Sequence, residues 1–290
     1  MALLLDPDFL NTLERLELVI RGRFRGTLSG RRLTSRAGMS LEFAEYKEYY
    51  PGDDLRYVDW NLYGRLGKLF IKVFSREEDV PIYVFLDTSR SMGIGGKSSA
   101  AAQLAGALAY LSLKELNRVG IFPFASSLTQ GVPPRGGHGQ IFQIFQFLQS
   151  VEPAGETSFD ASLAHFTRVR RESGVAVVIS DMLSEGGYED GLARLRYHGY
   201  EVIVLHLLAP QELEPDVTGE LRLQDIERNT ELPMYVDESA RQAYQQRVRQ
   251  FQDDLERFCE ARGMRYLRLS AATPLDEMVT DALQEGAVVQ

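Results

Sequence analysis

Val80-Pro81-Ile82-Tyr83-Val84-Phe85-Leu86-Asp87-Thr88-Ser89-Arg90-Ser91-Met92-Gly93 opens as an apolar run rich in β-formers and stops abruptly at a carboxylate. Hydroxyls follow at Ser89 and Ser91, and a small-residue helical pattern starts by Ser98. The order is that of a strand, a polar loop and a helix. An unbroken apolar run suits a strand covered on both faces of a parallel sheet. In open parallel sheets ligands sit outside the carboxyl ends of the strands, where loops present polar groups without burying them unpaired. Asp87, Ser89 and Ser91 fall at that edge.

One carboxylate and two neutral hydroxyls are ligands for a hard cation, Mg²⁺, Mn²⁺ or Ca²⁺, and not for the softer metals that prefer thiolate or imidazole. Neutral ligands leave such an ion under-neutralised, able to accept a further carboxylate from outside. Taken alone, the pattern is equally that of a helix N-cap cluster. Two further stretches favour the cation. Val175-Ala176-Val177-Val178-Ile179 is a second buried-strand run ending in Ser180-Asp181, and between the two strands lies the turn Gly155-Glu156-Thr157-Ser158. Together they resemble the metal-ion-dependent adhesion site, or MIDAS, of von Willebrand factor A (vWA) domains. That resemblance implies Asp87, Ser89, Ser91 and Thr157 as ligands of Mg²⁺ (or Mn²⁺ or Ca²⁺), with Asp181 ligating directly or through water.

A chain of 290 residues can bury a sizeable core. Its 32 basic against 41 acidic residues argue against a nucleic-acid binder, for which a basic surface is expected. The single cysteine, Cys259, cannot form an internal disulfide, and the four histidines have no metal-ligand spacing, which fits a reducing compartment. His206 and Cys259 read as core residues. Leu3-Leu4-Leu5 is followed at once by Asp6, too short for a signal-peptide core, and no stretch approaches the roughly 18 apolar residues of a membrane span. The expectation is a soluble cytoplasmic protein with no membrane association.

In chain order, Phe9, Leu10, Leu13, Leu16 and Ile20 predict an amphipathic helix over Pro7 to Ile20. Arg21, Arg23, Arg25, Arg31, Arg32 and Arg36 follow in a Gly/Ser-rich loop, whose pairing with the acidic body is favoured over nucleic acid. Pro51-Gly52 is a turn signal, the acidic residues after it read as a helix start, and the aromatics around it predict a small core. Tyr49, Pro51, Gly52, Asp53, Asp54, Arg56, Asp59 and Trp60 match Tyr-x-Pro-Gly-Asp-Asp-x-Arg-x-x-Asp-Trp, so the chain from about Gly38 onward resembles the bacterial family called DUF58. Gly64-Arg65, Lys68 to Phe74 and Glu77 look like the same family. The resemblance implies a vWA-type domain with its own N-terminal extension. Proteins of this family are commonly encoded beside MoxR-type AAA+ ATPases, which implies such an ATPase as the protein partner.

Strand and helix patterns alternate through the rest: helix Ser99 to Leu116, strand Val119 to Phe124 with Pro123 favouring an edge, loop Gly131 to Gly139, helix Ile141 to Leu148 and helix Ser158 to Arg170. Strands Val175 to Ser180 and Glu201 to Leu208 bracket the helix Tyr188 to Tyr197. A charged, proline-bearing insertion at about 209–237 holds a β-hairpin around Glu220 to Asp225. Helix Asp237 to Arg262, strand Met264 to Leu269 and helix Pro274 to Leu283 close the chain. The reading is an α/β fold, a doubly wound and mainly parallel sheet flanked by helices, over residues 79–290. An N-terminal extension, 1–78, is expected to pack on it.

The rival is an enzyme. Ser91-Met92-Gly93-Ile94-Gly95-Gly96-Lys97-Ser98 almost satisfies the phosphate-binding loop Gly-x4-Gly-Lys-Ser/Thr, but Ser91 replaces its first glycine and the strand ends four residues too early. No Gly-x-Ser-x-Gly elbow appears, and carboxylates are too few to hold two ions or a catalytic base. A non-enzymatic, metal-dependent interaction module is therefore expected, with a metal-dependent phosphohydrolase or NTPase as the alternative.

Overall fold

The computed structural model describes residues 9–16, 42–50, 58–75, 80–170, 172–224 and 231–284. The chain divides into two compact units, residues 1–26 with 80–289, and residues 27–79. The basic loop Arg21 to Arg36 and the Pro51-Gly52 turn with the acidic helix start after it lie outside the described residues.

The larger unit is built on β3 (Pro81–Asp87), in which every residue is buried. Parallel neighbours flank it, β4 (Arg118–Phe124) on one side and β6 (Val175–Ser180) on the other. Beyond β6 come β7 (Glu201–Leu208) and β10 (Arg265–Ser270), both parallel, while β5 (Val132–Arg135) closes the far edge antiparallel to β4. The order β10-β7-β6-β3-β4-β5 is that of a doubly wound α/β sheet. Chain progression runs from β3 toward β4 and β5, then reverses across β3 to β6. The carboxyl ends of β3 and β6 therefore form the switch point.

Helices cover both faces, which is why the strands carry unbroken apolar runs. On one face lie α3 (Lys97–Lys114), α4 (His138–Ser150) and α9 (Leu275–Gln284), joined by the helix α1 over residues 9–16, whose Phe9 ring meets Phe145 at 5.8 Å. On the other lie α5 (Phe159–Val169), α6 (Glu189–Tyr197) and α8 (Glu238–Glu260). Alternate residues of β3 serve the two layers. Tyr83 and Phe85 enter an aromatic cluster in which Phe166 of α5 stands edge-on to Phe85 at 4.7 Å and to Tyr83 at 5.2 Å, with Phe122 and Tyr200 around it. A short helix α7 (Pro210–Leu213) and a hairpin of β8 (Gly219–Gln224) and β9 (Glu231–Val236) fill the insertion. Among the described residues no helix is long and apolar enough to cross a membrane.

Two details differ from the sequence reading. The stretch Gly131 to Gly139 contains β5, so β4 is not the edge strand that Pro123 suggested. Pro123 is tolerated because β5 pairs with β4 only from Val119 to Ile121, leaving the position of its missing N–H locally unpaired.

In the smaller unit β1 (Glu42–Glu48) and β2 (Phe70–Ser75) form an antiparallel pair around α2 (Trp60–Leu66). Asp59 caps α2, its Oδ1 accepting from the N–H groups of Asn61 and Leu62 at 2.9 and 3.0 Å while Oδ2 accepts from Tyr46 Oη at 2.9 Å. Among the described residues Val58 and Ile71 are buried, whereas Trp60, Tyr63 and Tyr50 are exposed, so these three aromatics do not enter the expected core.

The Phe166 cluster yields a direct test. Phe166→Ala should destabilise the larger unit by about 3–5 kcal/mol through lost burial and the cavity left behind. Urea unfolding should register a lower midpoint with an unchanged slope.

Candidate functional site

The parallel register that pairs Leu86 with Ile179 brings Ser180, at the end of β6, level with Asp87 at the end of β3. Ser180 Oγ donates to Asp87 Oδ2 at 2.5 Å and accepts from the Met182 N–H at 2.9 Å. The Ser89 N–H donates to Asp87 Oδ1 at 2.9 Å, and the Ser89 and Ser91 hydroxyls are 3.0 Å apart. Asp87 is buried and has no ion pair among the described residues. Burial, and then the charge of Asp181, push its carboxyl up to about 6, against the pull of the Ser180 and Ser89 hydrogen bonds.

Backbone hydrogen bonds bring in the second loop. The Ala154 N–H donates to the Thr88 carbonyl at 2.7 Å and the Arg90 N–H to the Gly155 carbonyl at 3.0 Å, clamping the Gly155 turn against the β3 loop. Thr157 follows that turn, 7% exposed, and its Oγ1 has no hydrogen-bond partner among the described residues. Ser184 Oγ donates to the Thr157 carbonyl at 3.0 Å, tying in the loop after β6. Sequence reasoning thus placed Asp87, Ser89, Ser91, Thr157 and Asp181 on three loops, and the structure gathers those loops at one sheet end.

Asp181 is fully buried and engaged on every oxygen. Its Oδ1 accepts from the Leu183 N–H at 3.1 Å and its Oδ2 from Lys97 Nζ at 2.7 Å. Its main-chain carbonyl faces His206 Nε2 at 3.1 Å. A carbonyl only accepts, so Nε2 carries the proton; burial lowers the pKa of His206 to about 4, keeping the ring neutral, and Nδ1 accepts from Tyr266 Oη at 2.7 Å. Met182, immediately after, has φ +59, a left-handed conformation uncommon outside glycine, held by the two turn hydrogen bonds from Met182 and Leu183.

Sequence reasoning missed the roles of Lys97 and Glu212. Lys97 is wholly buried between Asp181, at 2.7 Å, and Glu212 Oε1, at 2.6 Å, and Glu212 Oε2 accepts from the Ala209 N–H at 2.7 Å. One signal was available: Lys97 opens α3, where the helix dipole disfavours a cation and no acidic residue stands in the first turn, so a lysine there needs carboxylates from elsewhere. Gly95, at φ +60, allows the approach, since a Cβ there would lie 2.3 Å from Ala209 Cβ. Four amides of this stretch are not free to cradle a phosphate: the N–H groups of Arg90, Met92, Ile94 and Lys97 donate to carbonyls within the fold. Cys259 is a core residue, its thiol pushed up to about 12 by burial.

Among the described residues no group of three or more His, Cys, Asp or Glu side chains converges as a metal site. The available donors are the carboxylates of Asp87 and Asp181 and the hydroxyls of Ser89, Ser91 and Thr157, an all-oxygen set suited to a hard cation.

Fold and site together define a doubly wound α/β domain with a carboxylate and hydroxyl cluster at its switch point. The chain belongs to the DUF58 family, described as a protein of unknown function, whose match spans residues 45–254. It is 26% identical over 272 residues to the uncharacterized protein Rv1480 of Mycobacterium tuberculosis, covering 91% of this chain and 85% of that protein. Among solved structures it is similar to the conserved hypothetical protein BatB from Bacteroides thetaiotaomicron, at 19% identity and a TM-score of 0.46, covering 72% of this chain and 98% of that one. A von Willebrand factor type A structure from Catenulispora acidiphila matches at 13% identity and a TM-score of 0.37, covering 46% and 34%.

Thr157→Val tests the unpartnered hydroxyl. Removing it while keeping the side-chain shape should stabilise the protein in chelator by about 1 kcal/mol, because a buried hydroxyl without a partner is itself destabilising. Thermal melting in EDTA reads this directly.

Proposed function

We propose that Asp87, Ser89, Ser91 and Thr157 hold one divalent cation, Mg²⁺ or in its place Mn²⁺ or Ca²⁺, with Asp181 close to the ion, and that the chain is a protein-interaction module capturing an acidic side chain of its partner there. The observation that carries the reading is Asp87, a buried carboxylate without an ion pair among the described residues, in the same loop cluster as the unpartnered Thr157 hydroxyl. When bound, the ion would neutralise Asp87 and offer an exchangeable position to an external carboxylate. Ser180 and the Ser89 N–H orient Asp87, and the backbone clamps between the three loops hold the hydroxyls in place.

The family resemblance supports a MoxR-type AAA+ ATPase as the partner, and the lone buried Cys259 supports a reducing, cytoplasmic setting. The reading is non-enzymatic. A phosphate-loop NTPase would call on Lys97 for phosphate, and that ammonium is already committed to Asp181 and Glu212.

Asp87 gives the experiment. Its folded-state pKa of about 6 lies above the ordinary 3.8, so the folded protein holds a proton that the unfolded chain has released. Without divalent ion, the contribution of Asp87 to stability should therefore decline as pH rises from about 4 through about 6. Asp87→Asn, which carries no charge, should melt higher than wild type in EDTA at neutral pH, by about 1–3 kcal/mol in stability. The same variant should lose the Mg²⁺-induced rise in melting temperature and the Mg²⁺-dependent capture of a MoxR-type ATPase. Equal Mg²⁺ affinity in the two proteins by calorimetry sinks the assignment, and turnover of ATP or a phosphate ester by the Mg²⁺-loaded wild type favours the enzyme.

A further inference from the structure

We propose that Lys97 is a positioning residue that holds Asp181 off the cation, so that the ion is bound chiefly through Asp87 and the hydroxyls. The inference rests on the cation reading of Asp87 and extends it to how tightly the site binds. Both side-chain oxygens of Asp181 are occupied, Oδ1 by the Leu183 N–H and Oδ2 by Lys97 Nζ at 2.7 Å, with both partners of that ion pair fully buried. For Oδ2 to ligate an ion, it would have to surrender a charge-assisted hydrogen bond and leave an ammonium without one of its two anchors in a dry interior, which is strongly unfavourable.

Lys97 has no freedom to step aside. Its second anchor, Glu212, is itself fixed by the Ala209 N–H at the start of α7, and the Gly95 backbone packs directly on Ala209. The Lys97 ammonium is thus spent on Asp181 and Glu212, and Asp87 has no ion pair among the described residues. Asp87 is left as the carboxylate open to an incoming cation. Lys97 weakens that cation in two ways, by its own charge and by keeping Asp181 out of direct ligation. It also links the site to α7 and so to the first element of the insertion.

Mn²⁺ binding to the full chain, measured by calorimetry and by the electron paramagnetic resonance of free Mn²⁺, separates the roles. Asp181→Asn keeps one oxygen for Lys97 but gives up the acceptor for the Leu183 N–H and the negative charge, and its Kd should stay within about threefold of wild type. Lys97→Met should bind Mn²⁺ about tenfold more tightly while melting at a lower temperature, and the double variant Lys97→Met/Asp181→Asn should lose that gain. A purely structural role would lower affinity and stability together. A loss of about tenfold or more in Asp181→Asn makes Asp181 a direct ligand and overturns the proposal, as does a folded Lys97→Met that binds no tighter than wild type. Should Lys97→Met fail to fold by circular dichroism, Asp181→Asn decides alone. A wild type that takes up no Mn²⁺ overturns the cation reading and this proposal with it, whereas a wild type that binds while Asp181→Asn does not overturns this proposal only.

Discussion

A strand buried on both faces that ends in a carboxylate sets the terms for everything around it. Removing an ionised carboxylate from water costs several kcal/mol even after local relaxation. In β3 that group is Asp87, and the fold answers with two hydrogen-bond donors, the Ser180 hydroxyl and the Ser89 N–H. Neither carries a charge, which is why the carboxyl stays well above its ordinary pKa. The sheet order makes this tolerable, because the crevice at the switch point is where loops from adjacent strands can bring polar groups together without burying them in the helix layers.

The treatment of the second carboxylate is different. Asp181 is as deeply buried as Asp87, yet it receives an ammonium, the Leu183 N–H and a neutral histidine holding its carbonyl. The backbone beyond it is pinned in a left-handed conformation at Met182, at a non-glycine residue where such a conformation is disfavoured. Strain of this kind persists only where the surroundings over-determine it, and the Ser180 and Asp181 side chains do so by accepting from the next two amides in turn. One carboxylate is thus locked and the other left under-compensated, a division suited to one structural and one ligand-facing role.

The fold was legible because burial writes itself into local sequence. Ile82 to Leu86, Val175 to Ile179 and Val202 to Leu208 are continuous apolar runs, and all three are central parallel strands. What escaped was local structure with no such signature. The four residues of β5 include Pro133 and Pro134 in a glycine-rich stretch, and they form a strand only because β4 offers an edge. In the site, Asp87, Ser89 and Ser91 stand out as the polar end of an apolar strand run, whereas Thr157 and Asp181 are singled out by resemblance to an adhesion site. Lys97 could not be read the same way, because its partners lie 84 and 115 positions away and neither distance leaves a local trace. Glu212 sits in the charged insertion, where a carboxylate is unremarkable by composition.

The stretch that most resembles a phosphate loop shows why residue order alone does not decide chemistry. Gly95, Gly96 and Lys97 do open a helix, and both glycines adopt positive φ. In a phosphate loop that geometry would aim free amides and a lysine at an anion in solvent. Here the turn is closed on itself by hydrogen bonds from Met92 to Ser89 and from Ile94 to Ser91, and the glycines serve a close approach to Ala209 instead. The anions that Lys97 meets are the protein's own. A positive helix end and a buried ammonium would together repel a cation from this sheet edge if they stood alone. The ammonium's pairing with Asp181 and Glu212 offsets part of that repulsion, and Asp87 is left as the carboxylate of the cluster without an ion pair among the described residues.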